Sequence, residues 1–213
     1  MVQVPDVELR KRLEAALLYA ISPDTDADRL VAWAGACARG GADLIQLRQK
    51  EMSRREIFEV ATRMLVEVRA AGALLIVNDH LDIALASGAD GVHLGPEDLS
   101  VAAARRVAGP TFLIGASAST PAAAQAAEAA GADYIGAGPA FATPVKPAKR
   151  VIGPQGVADL QAQVGIPVFA IGGIRLENVP ELVVAGVRRV CVIRGLAGAE
   201  ADDVRRLRSA LET

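Results

Sequence analysis

A short phrase built on glycine recurs along the chain, each time between a helix-like and a strand-like stretch. Its copies are Gly40-Gly41-Ala42-Asp43, Ser87-Gly88-Ala89-Asp90, Ala130-Gly131-Ala132-Asp133 and Ala185-Gly186-Val187-Arg188. Glycine at such a place supplies the left-handed helix stop that a tight helix-to-strand turn needs. A chain punctuated in this way alternates helix and strand, and its strands are parallel and joined by crossovers. β-rich runs stand at Leu17–Ser22, Leu44–Gln49, Leu74–Asp79, Gly91–Gly95, Phe112–Ser117, Tyr134–Gly138, Val168–Gly173 and Arg189–Arg194. Eight such units in 213 residues favour a closed (β/α)8 barrel over an open doubly wound sheet. Residues Asp6 to Ala16 read as an extra N-terminal helix, placed to plug the barrel's N-terminal face. With no break in composition, residues 1–213 read as one barrel domain.

The helices between the runs carry their own signals. Ser53 with Glu56 three residues on is a capping box, and Ile57, Val60, Ala61, Met64, Leu65 and Val68 follow at helical spacing. Thr120-Pro121 is an N-cap with proline at the first helical position, and Gly131 is the stop.

Composition removes several functions. The 23 basic and 25 acidic residues leave a net charge of −2, so no basic excess points to nucleic acid. Aromatic residues are only 3%, which argues against base stacking on single strands. Cys37 and Cys191 lie far apart in apolar segments, a usage that fits a reducing, cytoplasmic setting. The first apolar stretch, from Ala15, is short and follows Lys11-Arg12-Leu13-Glu14. No signal peptide is expected, and no apolar run approaches a membrane span.

Polar residues gather at the strand ends, where a barrel builds its active site. Strand two ends Gln46-Leu47-Arg48-Gln49-Lys50. By alternation Gln46, Arg48 and Lys50 share one face, and two cations there suit an anion. Read alone, they are equally a charged strand end in solvent. Strand three ends Val77-Asn78-Asp79-His80, and Asp98 follows strand four. Either acid alone reads as a cap or turn residue. Together, beside Arg48 and Lys50, they suit Mg2+ bridging to a phosphate. His80 and His93 lack metal spacing and read as structural, with His93 facing the interior or a polar layer. Ile171-Gly172-Gly173-Ile174 closes strand seven, where barrels often bind phosphate. The long loop from Pro139 to Gly153 holds Lys146, Lys149 and Arg150 and is expected to close over an anionic ligand.

In order, these pieces resemble the thiamine-phosphate synthase family, whose members are TIM barrels, over nearly the whole chain. The matching pieces are Gln46 to Lys50, Val77-Asn78-Asp79, Gly91-Val92-His93-Leu94-Gly95 with Asp98, Gly115-Ala116-Ser117, Gly138-Pro139 with Thr143 and Lys146, and Ile171-Gly172-Gly173. The resemblance implies a transferase of thiamine biosynthesis. It would join 4-amino-2-methyl-5-hydroxymethylpyrimidine diphosphate to a thiazole phosphate and release pyrophosphate. It further implies that Gln46, Leu47, Arg48, Gln49, Lys50, Asn78, Ser117 and Lys146 bind the pyrimidine diphosphate. Thr143, Pro144, Val145, Gly173, Ile193 and Arg194 would bind the thiazole phosphate, and Asp79 and Asp98 would hold Mg2+. The expected partners are small phosphorylated molecules, not nucleic acid or membrane.

Three positions depart from the family pattern. Pro96 stands where glutamine is usual, Val145 replaces a threonine, and Arg194 occupies a place often held by serine. Arg194 follows the apolar run Val190-Cys191-Val192-Ile193, and a cation buried there needs an acidic neighbour or an anionic ligand. The alternatives are a thiazole tautomerase, another phosphate-binding barrel such as a sugar-phosphate isomerase, and a barrel that only binds a thiamine precursor. The tautomerase fits less well, because Ser119 stands where that branch carries histidine.

Overall fold

A computed structural model describes residues 6–143 and 150–212. In chain order the elements are α1 (Asp6–Ala15), β1 (Leu18–Ile21), α2 (Ala27–Arg39), β2 (Leu44–Leu47), α3 (Arg54–Ala70), β3 (Leu74–Asn78), α4 (Leu81–Ser87), β4 (Gly91–Leu94), α5 (Val101–Ala108), β5 (Leu113–Ala118), α6 (Pro121–Ala129), β6 (Tyr134–Ala137), α7 (Gly153–Gln161), β7 (Val168–Ile171), α8 (Val179–Val184), β8 (Val190–Val192) and α9 (Ala201–Glu212). The strands pair in parallel in sequence order, and β8 closes on β1. This is the (β/α)8 barrel that the alternating pattern predicts.

Strand alternation sorts the core into two parts. Ile45, Leu47, Leu75, Val77, Val92 and Ile114 point outward into the layer shared with the helices. Tyr19, Ile21, Leu44, Leu74, Ile76, Leu113, Tyr134, Phe169 and Cys191 fill the barrel, joined by Leu9, Leu13 and Ala16. The N-terminal helix therefore does plug the lower mouth. Both tyrosines of the chain lie at the barrel centre with Phe169, in edge-to-face contacts of 5.7–5.8 Å between ring centroids. Gly115 makes room for this cluster, since a Cβ there would fall 2.0 Å from the Tyr134 ring.

The recurring glycine phrase does more than stop helices. Gly41, Gly88, Gly131 and Gly186 all have positive φ, as expected of left-handed stops. The aspartate after them then reaches back to the preceding strand. Asp43 accepts from the Leu17 and Leu18 amides, Asp90 from the Leu75 amide and Asp133 from the Ile114 amide, all at 2.8–2.9 Å. Each aspartate also meets arginine: Arg208 for Asp43, Arg69 for Asp90, and both Arg105 and Arg10 for Asp133. The fourth copy carries Arg188, which donates instead to the Leu211 carbonyl. Charge pairs and packing at this N-terminal end serve stability, while the other end is left for ligands.

The helix signals hold. Ser53 and Glu56 form the capping box of α3, and Thr120 caps α6. Strand ends differ from the sequence reading most at β2, β7 and β8, each two residues shorter at its C-terminal end. Strand β8 stops at Val192, and the chain turns into a 3-10 helix at Arg194–Leu196. The turn lifts Arg194 out of the apolar run, so its side chain is exposed and needs no acidic neighbour to offset burial.

Candidate active site

The C-terminal mouth of the barrel opens into a cavity of about 250 Å3. Of the residues assigned from the sequence, its wall includes Gln46, Arg48, Asn78, Ser117, Thr143, Gly173, Ile193 and Arg194. Strand geometry explains part of the grouping: Gln46, Asn78 and Ser117 stand at the ends of β2, β3 and β5, and the others on the segments that follow the strands.

Other assigned residues are placed differently. Leu47 points outward into the helix layer and is buried there. Gln49 donates to the Pro23 carbonyl at 2.7 Å and braces the β1 loop. Lys50 is exposed and off the cavity wall. Pro144, Val145 and Lys146 lie outside the described residues, as do the other residues of 144–149 in the loop from Pro139 to Gly153.

Asp79 and Asp98 stand beside the cavity instead of on its wall. Among the described residues Asp79 is the one non-glycine with positive φ, at 64°. Such a backbone is sparsely populated and clusters at functional sites. Its amide donates to the His93 carbonyl at 2.9 Å, which draws the β3 end against β4. One Asp98 oxygen accepts from the Gly95 amide at 2.7 Å, so Asp98 does close its own turn. The second carboxylate oxygen extends the possible uses of that side chain.

Gly172 and Gly173, with φ of 101° and 68°, are needed for a reason besides ligand access. A Cβ on Gly172 would meet Pro139 at 2.6 Å, and one on Gly173 would meet the Ala142 carbonyl at 2.6 Å. The start of the β6 loop is packed on them, with Ala140 and Phe141 amides bonded to the Ile171 and Gly172 carbonyls.

Arg175 and Tyr19, both on the wall, have no counterpart among the residues assigned from the sequence. Arg175 was within reach of sequence reasoning, as the first cation after the Gly172-Gly173 turn. His93 was read as structural, yet its Nε2 lies 2.9 Å from Ser117 Oγ at the cavity. The charge of the wall is one-sided. It carries Arg48, Arg175 and Arg194 and no carboxylate, and among the described residues none of these arginines has an ion-pair partner. Unpaired guanidiniums converging on a cavity suit phosphate groups, which they grip through two parallel hydrogen bonds. Cys191 lies on the wall too, but burial pushes its thiol pKa well up, so it stays a protonated thiol.

Fold and site together define a (β/α)8 barrel with an anion-binding mouth. Residues 18–196 match the family model described as thiamine monophosphate synthase. The chain belongs to this family. A thiamine-phosphate synthase from Gloeobacter violaceus (strain ATCC 29082 / PCC 7421) is 45% identical over 91% of the chain, which spans 56% of that protein's length. One from Caldanaerobacter subterraneus subsp. tengcongensis is 44% identical over 77% of each. The solved structure of thiamine phosphate pyrophosphorylase from Pyrococcus furiosus superposes with a TM-score of 0.83, at 39% identity, covering 96% of this chain and 98% of that one.

Proposed function

We propose that the chain is a thiamine-phosphate synthase. It joins 4-amino-2-methyl-5-hydroxymethylpyrimidine diphosphate to a thiazole phosphate and releases pyrophosphate. The observation that carries this reading is the cavity wall, which among the described residues has three arginines and no carboxylate. Two phosphorylated substrates in one cavity require that excess of positive charge.

The bond from the pyrimidine methylene carbon to the diphosphate oxygen breaks, and the electron pair leaves with pyrophosphate. The pyrimidine-stabilised cation left behind is captured by the thiazole nitrogen lone pair. No protein nucleophile or base is needed for these two steps. The wall fits that economy. Its thiol is protonated, and the Nδ1 partner of the Ser117–His93 pair is the Tyr134 hydroxyl, where a hydrolytic triad has an acid. Arg48 and Asn78 would hold the diphosphate on the β2 and β3 side, with Gln46 and Ser117 on the ring. Gly173, Ile193, Arg175 and Arg194 would hold the thiazole phosphate on the β7 and β8 side. Orientation of the two substrates and stabilisation of the departing charge supply the rate.

Asp79 and Asp98 are the residues that would hold Mg2+. Two carboxylates on adjacent loops are a hard-oxygen donor set of the kind Mg2+ takes alongside substrate phosphates. Among the described residues no group of three acids, histidines or cysteines is placed to hold a metal, which leaves the remaining positions to substrate oxygens and water. When bound, Mg2+ supplies charge that stabilises the leaving pyrophosphate.

The test is to incubate the chain with both substrates and Mg2+ and to follow thiamine phosphate and pyrophosphate. Stoichiometric appearance of both is expected. Binding of either substrate without product would leave a precursor-binding barrel.

A further inference from the structure

A continuous hydrogen-bonded chain crosses the barrel at the floor of the cavity, with four of its five members on the wall, and ends at Gln46 and Ser117. Gln46 Nε2 donates to the Tyr19 hydroxyl at 2.6 Å. The Tyr19 and Tyr134 hydroxyls lie 2.9 Å apart. The Tyr134 hydroxyl is 3.3 Å from His93 Nδ1, and His93 Nε2 is 2.9 Å from Ser117 Oγ. Tyr19 and Tyr134 are fully buried, and Tyr134 does not reach the cavity wall.

Each hydroxyl has one hydrogen to give, and a neutral imidazole has one N–H. The direction at one end therefore sets every link. With the Gln46 amide donating, Tyr19 donates to Tyr134 and Tyr134 donates to His93 Nδ1. The imidazole proton then sits on Nε2 and is given to Ser117 Oγ. The Ser117 hydrogen is left to point into the cavity, while Gln46 keeps its carbonyl oxygen to accept from a ligand. If the chain ran the other way, Ser117 would offer only an acceptor and Gln46 only N–H donors.

We infer that Tyr19, Tyr134 and His93 are positioning residues that lock this direction, so that the cavity offers an acceptor at Gln46 together with a donor at Ser117. The ligand selected is a ring that carries an exocyclic amine and an unprotonated ring nitrogen, as an aminopyrimidine does. A ring with a carbonyl and a ring N–H in those places meets two mismatches. The choice of ligand rests on the synthase reading; the lock itself does not. Burial raises both tyrosine pKa values, Tyr134 well above its ordinary value, so the links remain hydroxyls. A half-satisfied buried network is costly, which makes the single direction a cooperative property of all five groups.

The first test needs no substrate. The chain has two histidines, so a long-range 1H–15N spectrum of labelled protein at pH 8 contains two imidazoles, told apart with a His80→Gln variant. We expect His93 to show a bare Nδ1 and a protonated Nε2, and Tyr134→Phe to mix the two tautomers. The second test measures binding. Tyr134→Phe should weaken the pyrimidine diphosphate about tenfold, the worth of one hydrogen bond, and leave inorganic pyrophosphate with Mg2+ unchanged. A protonated Nδ1 in the wild-type protein would reverse the chain and overturn the proposal, whatever reaction the protein performs. Equal loss of affinity for pyrophosphate and for the pyrimidine diphosphate would also overturn it, since that is the mark of general damage. A correct tautomer with no pyrimidine binding would instead sink the synthase reading and leave the lock intact.

Discussion

At the scale of single residues, the two aspartates beside the mouth can be tested without disturbing their backbone roles. Asparagine tolerates the left-handed backbone at Asp79 and keeps an oxygen for the Gly95 amide at position 98. Asp79→Asn and Asp98→Asn should therefore fold with unchanged thermal midpoints. Each should lower turnover on the order of 100-fold, as loss of one electrostatic contact does in other active sites. Near-normal turnover and Mg2+ dependence in both variants would remove the proposed metal site. Arg194 is exposed at the cavity rim, so no burial penalty forces it onto a ligand. Its effect should be correspondingly modest. Arg194→Ala is expected to weaken thiazole-phosphate binding by about 1.5 kcal/mol, the lower end for a charge-assisted hydrogen bond, with little effect on the pyrimidine diphosphate. Calorimetry with each substrate alone separates the two, and equal affinities in variant and wild type would assign Arg194 to solvent.

At the scale of elements, three of the four even-numbered strands share a device. The aspartates before β2, β4 and β6 tie the start of the preceding strand and pair with arginines from helices. Asp133 is the most enclosed of the three, with its side chain 3% exposed and Arg105 at 20%. Removing one partner of such a pair leaves the other charge without compensation. Asp133→Ala should cost about 3–5 kcal/mol in urea unfolding. Because this end of the barrel is remote from the mouth, KM values for the folded fraction should stay as in wild type. A loss below about 1 kcal/mol would show that Arg10 and Arg105 find water readily. It would reduce the phrase to its turn-forming role.

At the scale of the whole molecule, the core holds several protons more tightly than the unfolded chain does. Burial pushes the Cys37 thiol up to about 12, and the Cys191, Tyr19 and Tyr134 pKa values are raised as well. Groups with raised folded pKa values contribute stability that is fully present below their unfolded values and is lost as pH rises through the folded ones. Stability should thus be level to about pH 9 and then fall by up to about 1.4 kcal/mol per pH unit for each thiol that ionises only on unfolding. Urea midpoints between pH 7 and 11 measure this, and Cys37→Ala should flatten the decline. A constant midpoint across that range would mean that the thiols are not held in the fold as described.

The periodic features of the chain were legible without coordinates, because they are local. A capping serine, a glycine stop and alternation within a strand are decided by neighbours a few residues away, and they were enough for the barrel and its ligand-binding end. That is why Gln46, Arg48 and Gly173 could be picked out from strand ends and turns, while Asn78 and Ser117 came from the family resemblance; all five line one cavity. Tertiary structure decided what depends on contacts between distant segments. Tyr19 and Tyr134, 115 residues apart, became partners only when the barrel closed. Gln49 was drawn away to the β1 loop, and Arg175 joined Arg48 and Arg194 across the mouth. Arg194 left the strand because β8 ends two residues early. Spacing along the sequence carries no record of such meetings; closure of the sheet brings them about.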